Sequence, residues 1–494
     1  MSEQAAPRVS LGPTALPRPL QRAWRLLADE SLVVLCTSIF AIAFVLRLSG
    51  QVNQDAWLGI AGGRTVVDHG LPHHETWTIW GAGKSFVDQQ WLAQAGLYLV
   101  RALGGWGLLA ALHAVLTLAA IGFALVIARR RGASQRSVLM LLPFSFFCLI
   151  GSTWQVRTQS FAYPLFVLCL WLLVEDVRRP SSRVFWCLPL LALWGNLHGS
   201  VTLGAGLVAL RGLDRAFRGQ RRSGLALAVL APAMLFVSPY AGSLFGYYHS
   251  TLFNPAFSSM LNEWQPPKLG VLTAPFFLLG IGAAWLAGRS RTALTRYERL
   301  VLLATLLGGL AATRNIGWFA FAAIMLCPSA VEEAAPGRTV LHAVRSRANT
   351  AAAAVTLAVL VALLAATIAR PASWFTEPYP AAAGNAVASA AAAHPRARIY
   401  ADVKYADWLL WEHPGLAGRI AFDARFEVLS EYRIAEIFNF NNAFGASWRT
   451  ATRGFLILVL DRTVSARPIA ALLREPGTRL LYSSHGVAVL ERST

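Results

Sequence analysis

The chain has 494 residues, of which 55% are apolar and only 14% charged, against roughly 25% charged in an ordinary soluble domain. That balance, with the apolar residues arriving in long blocks, excludes a typical soluble enzyme and indicates a polytopic membrane protein. The formal charge of +19 does not read as nucleic-acid binding: lysine is confined to Lys84, Lys268 and Lys404, and the arginines gather in short loops between apolar blocks.

In chain order, residues 1–30 precede the first apolar run, which lacks a small-residue cleavage site and reads as an anchored helix rather than a cleavable leader. Eleven runs approach the roughly 20 apolar residues that cross about 30 Å of hydrocarbon. They are 31–49, 106–128, 137–153, 160–177, 184–197, 199–213, 224–240, 272–288, 299–313, 316–332 and 350–369. Basic residues in short loops stay cytoplasmic, and they orient the whole set. With the N-terminus inside, the cytoplasmic loops carry Arg129, Arg130, Arg131 and Arg136, then Arg178, Arg179 and Arg183, then Arg211, Arg215, Arg218, Arg221 and Arg222. Arg289, Arg291, Arg296 and Arg299 follow, then Arg338, Arg345 and Arg347, whereas the opposite loops hold only Arg64, Lys84, Arg101, Arg157, Lys268 and Arg314. The five cysteines lie in or beside apolar runs without CxxC or Cys/His spacing, so neither a disulfide scaffold nor structural zinc is expected.

An odd helix count places residues 371–494 outside, in the periplasm or its equivalent. There 398–402, 419–424, 454–461 and 479–490 read as short strands, and 404–412, 429–440 and 465–474 as helices. This alternation predicts a small α/β domain with a largely parallel sheet, lacking GxGxxG or a P-loop. The expected fold is therefore an α-helical polytopic membrane protein of about eleven spans, 31–370, with a small extramembrane α/β domain at its C-terminus.

Ionisable groups at membrane depth are expensive, so their placement is the most informative feature of such a chain. The first outer loop, 50–105, carries Asp55, Asp68, His69, His73, His74, Glu75, Lys84 and Asp88, with Gln89 beside the last. Its segments 55–68 and 88–102 have the amphipathic, tryptophan-bearing spacing of helices lying in the interface. Other outward loops repeat the pattern, with Arg157, then Asn196 and His198, then Glu263, then Arg314 and Asn315. The run 184–197 covers only roughly 20 Å as a helix, so the NLHG turn is expected to line a cavity wall. His73, His74 and Glu75 look like metal ligands on paper, but three adjacent loop residues cannot all aim at one ion. Asp402, Asp407, Asp423, Arg425 and Glu427 suit solvated strand ends, or else a partner or acceptor surface.

If the outward loops share a cavity that holds a lipid-linked sugar, Asp55 is placed to act as general base towards an acceptor hydroxyl. Arg157 and Arg314 suit the developing charge of a polyprenyl-phosphate leaving group, with His198 or Asn196 as further donors. Glu75, Asp88, Gln89, Glu263 and Asn315 are secondary candidates. An acidic residue soon after the first span, an amphipathic two-helix first loop and an outward C-terminal domain together resemble the GT-C superfamily of membrane glycosyltransferases. The segment DAWLGIAGGRTVVDHGLP, 55–72, followed by DQQWL, 88–92, is similar to the branch containing protein O-mannosyltransferases and lipid A aminoarabinose transferases.

The resemblance covers roughly residues 31–330. It implies a polyprenyl-phosphate-linked donor, inverting transfer to a glycan, lipid or protein acceptor outside a bacterial cytoplasmic membrane, and Asp55 as base. A divalent ion stays open, since the superfamily includes enzymes with and without one. Asp55 is not followed by a second acidic residue, and neither a Lys-Pro-Pro element nor a WWDYG-type motif is present, so sugar and acceptor stay open too. Three other readings use the same residues: a transporter or flippase for an anionic lipid or solute, a lipid-linked glycan polymerase, and a noncatalytic assembly protein displaying 371–494. A transporter commonly shows repeated halves, which are not evident here.

Overall fold

Backbone without water to satisfy it must close its hydrogen bonds internally, and each of the eleven apolar runs is helical over most or part of its length. The computed structural model describes residues 18–50, 52–335, 347–484 and 486–493; Arg338, Arg345 and residues 1–17 lie outside the described residues. Helices α1 (Arg18–Asp29) and α2 (Ser31–Leu46) meet at a bend of 84°. Next come α3 (Gln54–His69) and α4 (Trp91–Arg130), whose helical path breaks at Gly104 and Gly105, the latter at φ +65°. The predicted second interfacial helix and second span are therefore the two halves of α4.

Then follow α5 (Gln135–Thr153), α6 (Ala162–Arg178), α7 (Cys187–Gly195), α8 (Val201–Phe217) and α9 (Arg221–Ala233). The long connection after them carries α10 (Ser243–Leu252) and α11 (Pro255–Met260), before α12 (Ala274–Arg289), α13 (Arg296–Ala311), α14 (Ile316–Ala334) and α15 (Arg347–Ile368). Among the described residues five helices are long and apolar enough to cross a membrane, or six if the bent pair counts as one. The expected count of about eleven spans, some of them short, is not confirmed by helix length and composition. Helices α7, α8, α9, α12 and α13 have 9, 17, 13, 16 and 16 residues, short of the roughly 20 required.

At the arginine-rich end, several residues read as topology signals are buried in ion pairs. Arg211 lies 2.9 Å from Asp176, and Arg215 3.3 Å from the same carboxylate. Glu298 takes Arg131 at 2.6 Å and Arg178 at 3.2 Å. These pairs tie α6 to α8, and α13 to both the end of α4 and α6.

The C-terminal part contains α16 (Ala372–Thr376), α17 (Ala381–Ala393), β1 (Ile399–Ala401), α18 (Val403–Glu412), α19 (Glu431–Asn442), β2 (Ile457–Asp461), α20 (Ala466–Leu472), β3 (Thr478–Ser483) and β4 (Val487–Arg492). The sheet order is β1-β2-β4-β3; only β1 and β2 are parallel, so the sheet is mixed rather than largely parallel. The single strand expected over 479–490 is two strands, β3 and β4, paired antiparallel. The expected strand at 419–424 contributes only bridges, and it lies between β1 and the first loop. Thr78 bridges Ile420, while the Ile79 and Trp80 amides donate to the Ile420 and Ala421 carbonyls at 2.8 and 3.0 Å.

One continuous apolar core runs from Trp57, Ile60 and Trp106 on α3 and α4 to Tyr379, Tyr405, Trp408 and the inner faces of β1, β2 and β4. Burial of such large aromatic surfaces fixes α3 to the C-terminal domain as well as to the helical bundle.

Candidate functional site

Asn53 caps α3 by accepting the Ala56 amide on its side chain at 3.3 Å. Asp55 thereby falls in the first helical turn, where unpaired amides favour an anion. Gly62 and Gly63 let α4 come close: a Cβ on either would fall within Gln94. That approach sets Gln90 and Gln94 beside Asp55, on the wall of a cavity of about 480 Å³. The remaining walls come from Arg157 and Thr158, His198, Tyr247 and Tyr248 on α10, Glu263 and Trp264, Arg314 and Asn315, and Glu427 of the C-terminal domain.

The charges at the cavity form a chain. Arg157 lies between two carboxylates, its Nε 3.0 Å from Asp55 Oδ2 and its Nη1 3.2 Å from Glu263 Oε2. The contact with Asp55 is a charge pairing without hydrogen-bond alignment, since that Nε has no aligned acceptor. Arg157 also donates to Gln155. Glu263 continues to Arg314, 3.8 Å away, whose guanidinium lies 4.4 Å over the Trp264 ring. Burial alone would lower the Arg157 pKa, but Asp55 and Glu263 outweigh it and hold it raised. Burial likewise favours a neutral Glu263, yet Arg314 and Arg157 pull that carboxyl below its ordinary value. A second cavity of about 570 Å³ shares Asp55, Arg157, Glu263 and Arg314 and is bounded on its other side by Gln54, Gln155 and α19 residues. The ion-pair chain thus borders two chambers.

The backbone that presents Arg157 is anchored from beneath by His113 of α4. Its Nδ1 meets Ser160 Oγ at 2.6 Å and its Nε2 the Thr153 carbonyl at 2.8 Å, so one ring grips both sides of the turn. His198 accepts the Ser200 amide on Nδ1 at 3.1 Å, leaving Nε2 to carry the proton in the neutral ring. Burial, then Arg314 and Arg157, pull the His198 pKa down to about 3, so it faces the cavity as a neutral donor.

Asp55, Arg157, His198, Glu263, Arg314 and Asn315 therefore come together. Others do not. The Asn196 side chain is taken up by structure, donating to the Ala192 and Val237 carbonyls at 2.8 Å and accepting from Trp91 Nε1 at 2.8 Å. Gln89 donates to the Gly195 carbonyl at 2.6 Å outside the cavity lining. Asp88 is buried behind the wall, accepts from Gln94 at 2.9 Å, and is pushed up to about 7 chiefly by burial. Glu75 is also buried: one oxygen accepts the Trp77 and Thr78 amides at 2.7 and 2.9 Å, and the other lies 2.5 Å from Arg425. With Glu75 turned inward and the His73 ring edge-on to Tyr240, 5.4 Å away, those neighbours do not converge. Among the described residues no group of three such ligands is placed to hold a metal.

The C-terminal charged residues are not solvated strand ends. Asp402, Asp407, Asp423 and Arg425 are all buried, and Arg425 is clamped by Asp423 and Glu75 under Trp77, 4.4 Å away. Gln90, Gln94, Thr158 and the two tyrosines of α10 are cavity residues that sequence reasoning missed. Uncharged side chains on amphipathic segments carry a weaker cost signal than charged ones at membrane depth. Only the spacing of Gln90 and Gln94 on one helical face, opposite the GIAGG stretch, hinted at them.

No family model and no curated protein matches this chain. Among solved structures it is similar, at low sequence identity, to GT-C glycosyltransferases. ArnT from Cupriavidus metallidurans in the apo state aligns with 12% identity and a TM-score of 0.49 over 95% of this chain and 98% of that one. The same protein bound to undecaprenyl phosphate aligns with 14% identity and a TM-score of 0.47, over 93% and 97%. The archaeal oligosaccharyltransferase AglB from Archaeoglobus fulgidus, in complex with an inhibitory peptide and a dolichol-phosphate, gives 13%, 0.48, 96% and 75%.

Proposed function

We propose that this chain is a membrane glycosyltransferase moving a sugar from a polyprenyl-phosphate carrier to an acceptor at the outer face of a bacterial cytoplasmic membrane. The observation that supports it is the convergence of one carboxylate from the first turn of α3 and two arginines from distant loops on one cavity at the arginine-poor end of the bundle. The phosphate would sit between Arg157 and Arg314, taking the place of the Glu263 carboxylate, whose side chain is 45% exposed. An acceptor oxygen then attacks the anomeric carbon, the bond from that carbon to phosphate oxygen breaks, and the acceptor proton passes to Asp55. The charge left on the phosphate is neutralised by the two guanidiniums, and the neutral His198 donates without adding charge. The two chambers that meet at Asp55 suit donor and acceptor arriving from different sides.

The test is transfer of radiolabelled sugar from polyprenyl phosphate in purified membranes. Asp55→Asn, which keeps the shape and loses the base, should lower transfer by about a hundredfold or more, the range of a lost general base. Arg157→Ala should lower it similarly. Wild-type rates in both well-folded variants would remove these residues from the chemistry.

A further inference from the structure

Five side chains lining the main cavity carry formal charge: Asp55, Arg157, Glu263, Arg314 and Glu427. The first four are linked in the single ion-pair chain. Glu427 stands apart. It comes from the C-terminal domain, and among the described residues its carboxyl, which accepts from its own backbone amide, makes no ion pair and no hydrogen bond to another residue's side chain. Its backbone is nonetheless held on both sides by the first loop, through the Arg425 to Glu75 ion pair and the Lys84 ammonium, which donates to the Val428 carbonyl at 2.7 Å. A carboxyl placed so firmly in a cavity and bonded only to its own backbone amide has acceptor capacity left for a ligand.

One further polar group on the same lining lacks a partner. The Tyr248 hydroxyl is buried with none among the described residues, and its side chain is more than nine-tenths buried. A hydroxyl and a carboxyl beside the tyrosine rings of α10 match a polyhydroxylated ring, which needs both donors and acceptors. They do not match a phosphate, which Glu427 would repel.

We infer that Glu427 is a specificity-determining residue, reaching from the C-terminal domain to hydrogen-bond a hydroxyl of the donor sugar, with Tyr248 completing the sugar subsite. This deepens the proposed transfer and rests on it. The Glu427 carboxyl is pushed up to about 7, first by burial, so near neutral pH both its forms are populated and it can donate to or accept from a hydroxyl.

The experiment is equilibrium binding to the full-length protein in detergent. Its probes are undecaprenyl phosphate alone and undecaprenyl phosphate bearing one of a panel of single hexoses and pentoses. Wild type should bind both, and at least one sugar-bearing lipid more tightly. Glu427→Gln and Tyr248→Phe should each weaken the preferred sugar-bearing lipid by about tenfold, one hydrogen bond to a polar or charged group, and leave the bare lipid within about twofold. Tyr248→Phe removes a single oxygen and keeps the test open if Glu427→Gln misfolds. Equal binding of sugar-bearing and bare lipid by wild type, or unchanged sugar selectivity in folded variants, overturns the inference while leaving phosphate recognition standing. Failure of wild type to bind even the bare lipid overturns the transfer reading itself, and this inference with it.

Discussion

Glu263 is the residue on which the charge balance of the cavity turns. Its carboxylate touches both arginines in the ligand-free protein, so Asp55 and Glu263 between them already neutralise Arg157 and Arg314. An incoming phosphate must displace one carboxylate, and the half-exposed Glu263 is the easier to move than Asp55 on its capped helix. Replacing Glu263 with Gln removes the competing charge and keeps the volume. The expected outcome is tighter binding of undecaprenyl phosphate, by about threefold to tenfold, the scale of one partly solvated ion pair. Binding weakened by the same substitution would mean that Glu263 orders the arginines for phosphate rather than competing with it. Asp55, Arg157, His198 and Arg314 were legible as candidates in the sequence because charge on the arginine-poor side runs against the topological trend. Asn196 and Gln89 were equally conspicuous, yet their amides serve backbone carbonyls. A sequence registers that a polar group is present at depth, but not which neighbour satisfies it.

At the level of elements, the first loop is as much part of the C-terminal domain as of the bundle. Segment 76–80 runs beside 418–421, which in turn pairs with β1, and Arg425 is locked into Glu75 beneath Trp77 and Phe86. Breaking one partner of a buried ion pair leaves the other charge uncompensated, at about 3–5 kcal/mol. Glu75→Gln should therefore lower the apparent Tm clearly, and it should reduce sugar selectivity by loosening the segment that carries Glu427. An unchanged Tm would show that the clasp carries little of the interface. The alternation of strands and helices beyond residue 371 was readable from periodicity, and β1, α18, α19, β2 and α20 fall close to where it put them. Sheet direction was not readable. Strands β3 and β4 pair antiparallel within one expected strand, and the bridge between Thr78 and Ile420 joins segments more than three hundred residues apart.

Over the whole molecule, hydropathy located the helices, but five or six of those described have the length and apolarity of a crossing helix. A short helix such as α7 or α9 satisfies its own backbone whether or not it reaches both faces, so apolar runs count helices rather than crossings. The basic loops do mark one end of the bundle, but Arg211, Arg215 and Arg131 there also serve as buried ion-pair partners to Asp176 and Glu298. The opposite end holds the cavity, the loop helices and the C-terminal domain as one packed assembly around Asp55. The central claim is that this assembly recognises a lipid phosphate, and the most direct measurement is an experimental structure of the full chain with undecaprenyl phosphate. The account predicts the phosphate between the guanidiniums of Arg157 and Arg314, with Glu263 displaced and Asp55 facing the anomeric position. A phosphate bound elsewhere, with the chain from Asp55 through Arg157 and Glu263 to Arg314 intact, would contradict it.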